Sequence, residues 1–388
     1  MELSDLNNIL SVLGIAYVLG YFPSGWIADK FSARKLLSLS LFCVGLGGFW
    51  FAQVPSYTSI IIIFIIWGTF SVLTFWSAHL KLVNLLMKEG EEGRFFGILD
   101  GGKGVVEAVL ASIAAAIFTF ILSGSSAISD KQNAFVAIVY MYSIICIVVS
   151  VLILIFIKVD DEPKESASKD EKDFITKEED EGKKNVRGAN LKDILTNPLV
   201  LLLGGIIFTA YIVAQVVYYI GGYLETNVGF SATAVATITV IMLWMRPLGG
   251  IGGGFLADMF GKRLVFIVFL ALTAVSLVGI TFMPNDASRW VFYVFVVLVG
   301  VSVYAIRGLY WSLIGDLDIP DSEMGLSIGF ISFIGYMPDI VLPLIITLIM
   351  TTFGDFGYNA YLLFTTIFSV LSIVLIIVFG KKVNEKVN

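Results

Sequence analysis

Six charged residues lie inside stretches of the chain that are otherwise apolar, and these residues have the most evident chemistry in the sequence. An ionisable group inside a membrane-spanning helix is costly, so it is expected to serve a function or to be paired. Three of the six are spaced by three and four positions, which places them on one face of a helix. The six are Asp100, Lys103, Glu107, Arg246, Arg307 and Asp339.

The chemistry that these residue types favour is the binding of an anion and the transfer of a proton. Arginine forks match carboxylate and phosphate groups, so Arg246 and Arg307 are predicted to bind an anionic solute together with Lys103 and the nearby Tyr310. Glu107, Asp339 or Asp100 is predicted to accept a coupling proton, because a carboxylate removed from water binds a proton more readily. The alternative is a static salt bridge, such as Lys103 with Glu107.

The stretches that carry these charges have the composition of membrane spans. The chain has 388 residues, of which 57% are hydrophobic and 14% are charged, whereas a soluble domain has about 25% charged residues. A helix needs roughly 20 apolar residues to cross a bilayer, and eleven such spans are predicted, which makes the chain an all-α membrane protein. They lie near 8–28, 36–54, 58–80, 97–123, 134–157, 198–224, 232–256, 264–283, 290–314, 325–351 and 361–380.

A highly charged segment separates the first five spans from the last six. Residues 158–193 contain nine Lys or Arg, twelve Asp or Glu and one aromatic residue. Such a segment cannot bury enough apolar surface to fold alone, which predicts a disordered linker. The predicted organisation is an N-terminal half over 1–157, the linker over 158–193 and a C-terminal half over 194–388.

The distribution of basic residues predicts the orientation in the membrane. If the linker is cytoplasmic, twenty of the 25 Lys and Arg residues fall on that side, and only Lys131 and Arg289 fall on the other. The linker and the C-terminus are therefore predicted to be cytoplasmic, in a multi-pass protein of the plasma (inner) membrane.

Several classes of protein are disfavoured by the residue content. The chain has one histidine and two cysteines, without the Cys and His spacing of a metal site. The sequence shows no nucleophile with a matching base of the kind that would indicate an enzyme, and nothing in it indicates a cofactor. The sequence also lacks a basic stripe with interleaved aromatic residues, which would be typical of nucleic-acid binding.

A short motif recurs at related places in the two halves. GWIADKFSARK runs from Gly25 to Lys35, and GFLADMFGKR runs from Gly254 to Arg263. Both resemble the GxLADRxGRR loop of major facilitator transporters, which those proteins repeat in their two halves. The sequence departs from that pattern at Ser32, where the family has glycine, and at Met259, where a basic residue is absent.

The resemblance implies the major facilitator fold, which has twelve helices in two six-helix halves. It also implies that the family's first helix precedes Met1, so that the eleven spans present correspond to its helices two to twelve. In the family, the motif glycine lets helices approach closely and the aspartate contacts a neighbouring helix N-terminus in one conformation. The conformational gate predicted on this basis consists of Gly25, Asp29, Arg34, Gly254, Asp258 and Arg263. A simple topology anchor is the alternative for this motif.

The repeat also relates residues within the spans. When Gly93 is aligned with Gly325, Glu107 and Asp339 fall at the same offset. Tyr17 and Arg246 each lie twelve residues before a motif aspartate, which adds Tyr17 to the predicted solute site. Arg246 further resembles the helix-eight arginine of nitrate porters, and the phrase MGLSIGFISFIGY over 324–336 resembles organophosphate antiporters.

These features together predict a secondary active transporter that moves a small anionic organic solute by alternating access. We expect proton-coupled symport or antiport by a monomer in the lipid bilayer. Two alternatives remain open. One is an exporter of amphipathic drugs, against which the two in-span arginines argue. The other is a transporter-like receptor that binds a solute without moving it, which a transport assay would distinguish.

Overall fold

The computed structural model describes residues 3–88, 90–122, 128–157, 191–284, 287–317 and 319–387. These residues are almost entirely helical, and no strand occurs among them. Residues 158–190, which hold most of the predicted linker, lie outside the described residues. Its last three residues, from Leu191, begin a short helix.

Fifteen α-helices are found in the described part of the chain. The first six are α1 (Leu3–Lys30), α2 (Ala33–Phe51), α3 (Tyr57–Thr69), α4 (Trp76–Leu86), α5 (Glu92–Leu122) and α6 (Ile128–Phe156). The next five are α7 (Leu191–Thr196), which begins within the predicted linker, α8 (Pro198–Ala214), α9 (Ile220–Thr226), α10 (Ala232–Phe260) and α11 (Lys262–Phe282). The last four are α12 (Arg289–Leu309), α13 (Asp321–Gly335), α14 (Pro338–Phe353) and α15 (Gly357–Val387).

Four of the predicted spans contain an irregular turn. A π-helical turn, Phe70–Thr74, separates α3 from α4, and a 3₁₀ turn, Gln215–Tyr218, separates α8 from α9. A longer 3₁₀ segment, Tyr310–Leu317, follows α12. The break between α13 and α14 comes just before Pro338. Proline has no backbone N–H to donate to the preceding turn, so it cannot continue the hydrogen bonding of a helix. Breaks in membrane-spanning helices are tolerated where they are buried within the protein or line a cavity, and they often mark binding sites.

The described residues contain nine helical stretches that are long and apolar enough to cross a membrane. One of these stretches, Glu323–Glu385, is 63 residues long and includes α13, α14 and α15. Every one of the eleven predicted spans overlaps helical residues. The prediction of a polytopic helical membrane protein is therefore confirmed, while the exact number of spans stays a prediction.

The chain forms two compact units that are not continuous in sequence. The first comprises Met1–Leu85, Tyr142–Asn197 and Ile319–Phe330, and its α1 packs on α3 and the π-helical turn. The second comprises Leu86–Met141, Pro198–Asp318 and Ile331–Asn388, and its α10 packs along both α5 and α12. Residues that are distant in the chain, on α5 and α10, thus come together within one unit. The division into two sequence halves remains a prediction.

The two copies of the repeated motif end in different turns, and this explains why only one has a glycine. Gly261, between α10 and α11, has a φ of 93°, a left-handed value that favours glycine. Ser32, between α1 and α2, has a φ of −57°, which any residue adopts. The serine that departs from the family pattern is therefore compatible with its backbone.

Glycines allow very close contact between α5 and α10. A methyl group added at Gly97 would meet the Gly250 carbonyl oxygen and, at 2.9 Å, the Gly254 Cα atom. Such distances are shorter than van der Waals contact, so any side chain here would force the two helices apart. Gly102, on the same helix, has open space around the equivalent position.

We expect Gly97→Ala to destabilise the protein and Gly102→Ala to leave it unchanged or slightly more stable. Overpacking at the helix contact costs about 1–3 kcal/mol, whereas replacing an unconstrained helix glycine gains up to about 1 kcal/mol. Thermal unfolding of the two purified variants measures both effects. Equal melting temperatures for the two variants would show that the α5–α10 contact is not close.

Candidate functional site

The motif aspartate at the end of α1 accepts hydrogen bonds from the first turns of α13. Asp29 Oδ1 accepts from the Gly325 N–H at 2.7 Å, and Asp29 Oδ2 accepts from the Leu326 N–H at 2.6 Å. Lys81 on α4 donates to Asp29 Oδ1 at 3.0 Å and to the Ala28 carbonyl oxygen at 2.9 Å. An anionic group near a helix N-terminus is stabilised by the helix dipole, so this contact ties α1 to α13.

The second motif aspartate makes the equivalent contact with α5. Asp258 Oδ2 accepts from the Arg94 backbone N–H at 3.1 Å and from Arg94 Nε at 3.3 Å. The sequence repeat aligns Gly93 with Gly325, and so Arg94 with Leu326. The structure therefore gives both aspartates the same kind of partner, the beginning of a repeat-related helix.

The two motif arginines predicted for the gate contact different groups. Arg34 Nη1 donates to the Ile157 carbonyl oxygen at 3.1 Å, just beyond the end of α6. Arg263 donates to Asp316 Oδ2 through Nη2 at 2.8 Å and Nε at 3.0 Å. Lys262 forms a further ion pair with Asp316 at 2.7 Å. These contacts join helix ends on the predicted cytoplasmic side.

The charged residues inside α5, α10 and α12 form one ion-pair network. Arg246 donates to Asp100 at 3.1 Å and to Glu107 at 2.6 Å, and Arg307 Nε lies 3.9 Å from Asp100. The side chains of Asp100, Arg246 and Arg307 are 14%, 12% and 18% exposed, whereas that of Glu107 is 55% exposed. Asp100 is therefore shared between two largely buried arginines, while Glu107 remains accessible.

Lys103 belongs to the same network. It is half-buried on α5 and interacts electrostatically with Asp100, Glu107, Arg246 and Arg307. Acidic and basic groups thus meet at the predicted helix face, while the roles of these residues stay a prediction. The ion pairs of this face run from α5 to α10 and α12.

The two arginines differ in how fully their donors are used. Arg246 makes two hydrogen-bonded ion pairs, whereas Arg307 makes no hydrogen bond to any of the described residues. Buried polar atoms without a hydrogen-bond partner include Asp100 Oδ2 and Arg307 Nε. A planar guanidinium with unused donors can bind a carboxylate in a bidentate manner.

A cluster of aromatic residues holds the segment that follows Arg307. The Tyr310 and Tyr336 hydroxyl groups lie 3.1 Å apart, and Trp311 Nε1 donates to the Tyr336 hydroxyl at 3.0 Å. Tyr211 on α8 packs edge-to-face on Tyr336 with ring centroids 4.9 Å apart. Tyr310 is buried and engaged by Tyr336, so its position beside Arg307 is fixed.

Asp339 lies in the first turn of α14 and interacts with Tyr211. Gln215 Nε2 donates to Asp339 Oδ1 at 3.2 Å, and the Tyr211 side chain also interacts with the carboxylate. Arg307 interacts electrostatically with Asp339 without forming an ion pair with it. Gln215 belongs to the 3₁₀ turn between α8 and α9, so two helix breaks meet at this carboxylate.

A cavity of about 180 Å³ opens beside these two helix breaks. This volume is below the roughly 300–1,000 Å³ of pockets for drug-sized ligands, and it suits a small solute. The cavity is lined by polar and aromatic residues from the 3₁₀ turn and by residues of α14: Gln215, Tyr218, Tyr219, Pro338, Asp339, Leu342 and Pro343.

The structure brings together most of the residues predicted for the solute site. Arg246, Arg307, Lys103 and Tyr310 lie in the second compact unit with the predicted proton acceptors. Tyr17 is half-buried on α1 in the first unit, and its role stays a prediction. The sequence analysis did not single out Tyr211, Gln215 or Tyr218. The signal that could have identified them is the presence of a glutamine, Gln215, between tyrosines in the apolar span predicted at 198–224.

Comparison with known proteins agrees with this architecture. The family model described as Major Facilitator Superfamily matches residues 2–343. The inner membrane protein YqcE of Escherichia coli is 27% identical over 88% of this chain and 78% of its own length. A probable galactarate/D-glucarate transporter, GudP of Bacillus subtilis, is 23% identical over 91% of this chain and 78% of its own length.

Solved structures share the fold at low sequence identity. The fucose:proton symporter FucP of Escherichia coli superposes with a TM-score of 0.70 at 17% identity, over 98% of this chain and 94% of that chain. A bacterial homologue of the iron transporter ferroportin, in an outward-facing state, has a TM-score of 0.70 at 16% identity. It covers 98% of this chain and 91% of that chain.

The motif contacts, the all-helical fold and the match over most of the chain lead to one conclusion: the protein belongs to the Major Facilitator Superfamily, and it is a multi-pass membrane transporter rather than an enzyme.

Proposed function

We propose that this transporter moves a small hydroxylated organic acid together with a proton, by alternating access. The observation that carries the proposal is the Arg307 guanidinium, which is largely buried, lies beside helix breaks and makes no hydrogen bond to the described residues. A buried cation that shares its one carboxylate partner, Asp100, with another arginine can gain binding energy from the anionic group of a solute. The relatives GudP and GarP, named as probable galactarate/D-glucarate transporters, support an organic acid as the solute.

In this proposal Arg307 makes the principal contact with the acid group, and Arg246 and Lys103 supply further positive charge. Arg246 is already bound to Asp100 and Glu107, so its free donors are fewer. Tyr310 positions the segment next to Arg307 through its contact with Tyr336. The hydroxylated part of the solute would lie toward the cavity at Gln215.

The coupling of proton and solute follows from competition for Arg307. The carboxylate of Asp100 and the carboxylate of the solute are both attracted by this guanidinium, and they repel each other. A proton on Asp100 removes the competing charge and strengthens solute binding, and by linkage a bound solute strengthens proton binding. Glu107 and Asp339 remain the alternative proton acceptors. Glu107 forms an ion pair with Arg246 at 2.6 Å.

The gate in this proposal is the pair of aspartate contacts at the predicted cytoplasmic ends of the helices. Asp29 of α1, which contacts α13, and Asp258 of α10, which contacts α5, would hold these helix ends together in one conformation and release them in the other. Close approach at Gly25 and Gly254 makes each contact possible, because both glycines pack on the backbone of the partner helix. The predicted inner-membrane location, with the linker in the cytoplasm, completes the proposal.

The first test replaces Arg307, the arginine that makes no hydrogen bond to the described residues. We expect Arg307→Lys to weaken solute binding at least about tenfold, because a lysine cannot reproduce the planar fork. Binding of labelled gluconate to purified protein measures the effect, with Arg289→Lys at the other end of α12 as a matched control. Wild-type affinity in Arg307→Lys would contradict the proposed site.

A second test separates the three candidate proton acceptors. In proteoliposomes, Asp100→Asn should retain exchange of gluconate across the membrane and lose its accumulation against a gradient driven by pH. Glu107→Gln and Asp339→Asn should retain pH-driven accumulation. Loss of accumulation in Asp339→Asn alone would move the coupling role to Asp339. Normal accumulation in all three variants would exclude coupling through these carboxylates.

A third test concerns the gate. We expect Asp29→Asn to slow transport while equilibrium binding stays within a few-fold of wild type, because Asp29 holds helix ends and does not contact the solute. Initial rates and binding constants of the same preparation check this, with the exposed Asp355→Asn as a control. A folded Asp29→Asn protein that no longer binds solute would contradict the assignment.

A further inference from the structure

We infer that Asp339 makes the site selective for solutes with an acid group at only one end. This inference rests on the proposed function and extends it, because it assigns a specificity-determining residue for the second end of the solute. Arg307 would receive the acid group, and Asp339 would receive an uncharged end that donates hydrogen bonds. A solute with acid groups at both ends would be rejected.

The surroundings of Asp339 differ from those of the other carboxylates inside the spans. Asp100 and Glu107 each form an ion pair with Arg246. Asp339 forms no ion pair with any described residue, and it interacts instead with two neutral groups, the Gln215 amide and the Tyr211 side chain. The residue is exposed at the cavity of about 180 Å³. Its carboxylate therefore lines the space for a solute without an ion pair to any described residue, and the cation that interacts with it is Arg307.

The positions of Arg307 and Asp339 give the site a positive end and a negative end. Both interact electrostatically with Tyr211. The two charges interact with each other but do not form an ion pair. Tyr218, which lines the cavity, is also close enough to interact with Arg307. A small solute that bridges the two ends would contact a guanidinium at one and a carboxylate at the other.

The chemistry of an ionised carboxylate determines what it can accept. It has only acceptor atoms, so it binds a hydroxyl group by receiving its hydrogen bond. A second carboxylate in the same place has no proton to donate and carries the same charge. Like charges brought together in a binding site cost several kcal/mol, and specificity against a competitor commonly comes from such repulsion.

Gluconate and glucarate provide a direct test, because they differ only at one terminal carbon. That carbon carries a hydroxyl group in gluconate and a carboxylate in glucarate. Binding of each acid to the purified full-length protein is measured by calorimetry near pH 7.5, where both carboxyl groups of glucarate are ionised. We expect the wild-type protein to bind gluconate at least about tenfold more tightly than glucarate.

Removal of the charge at position 339 should reduce this preference. In Asp339→Asn the ratio of the two affinities should fall to within about threefold, through stronger binding of glucarate. Asp339→Ser is a second variant that also removes the charge, in case the amide is not tolerated. Glu225→Gln is the matched control, since it makes the same acid-to-amide change at an exposed position on α9 and should keep the wild-type ratio.

The possible outcomes distinguish this inference from the proposed function. If wild-type protein binds both acids equally, or glucarate more tightly, the selectivity is wrong and the organic-acid site stands. If both charge-removing variants keep the wild-type ratio, Asp339 is not the determinant. If the wild-type protein binds neither acid, the proposed function fails and the inference fails with it.

Discussion

A single buried carboxylate shared by two arginines organises the interior of the second compact unit. Asp100 on α5 accepts a hydrogen bond from Arg246 on α10 and lies 3.9 Å from Arg307 on α12. Charged groups far from water are stable only when they are paired, so these three helices must stay close for the network to persist. Since one carboxylate cannot fully satisfy two guanidinium groups, the protein retains positive charge at Arg307. The chemistry of the site depends on this imbalance.

The same constraint explains the glycines along α5 and α10. The Arg246 side chain lies against Gly104 on α5, where an added methyl group would come within 2.8 Å of it, so this glycine leaves room for the side chain that pairs with Asp100. Gly97 packs against Gly250 and Gly254, and Gly101 packs against Ile251. In a membrane, where lipid chains are as apolar as leucine, small residues are the usual means of close helix packing. The glycine contacts and the ion pairs therefore depend on each other.

Much of the fold could be predicted from the sequence, because long apolar runs have few structural solutions in a bilayer. The predicted span at 264–283, for example, coincides within two residues with Lys262–Phe282. The break at Gln215–Tyr218 could not be predicted, because no proline or glycine marks it within the turn. Such a break depends on tertiary packing, whereas the one before Pro338 has a local cause.

The candidate site was predictable to a similar degree. Charges within apolar spans identified Asp100, Arg246 and Arg307, because an ionisable residue type in a span is visible in the sequence and is costly unless it is paired or functional. Which arginine forms hydrogen bonds to the carboxylates could not be predicted, since it depends on distances between three helices. Gln215 and Tyr211 were missed because neutral polar residues are common in spans and carry a weaker signal. The structure thus added the partners of the charges and the second end of the site.

The repeated motif shows how two related contacts can behave differently during a conformational change. Asp29 is paired with Lys81 on α4, a helix of its own compact unit, in addition to its contact with α13. Asp258 is paired with Arg94, which belongs to α5, the helix whose N-terminus it contacts. If α13 moved away, Asp29 would keep its cation. If α5 moved away, Asp258 would lose both the helix N-terminus and the arginine. Leaving a carboxylate without a partner is costly, so the contact at α5 resists opening more than the contact at α13. The order in which the two contacts release therefore depends on which helix carries the cation.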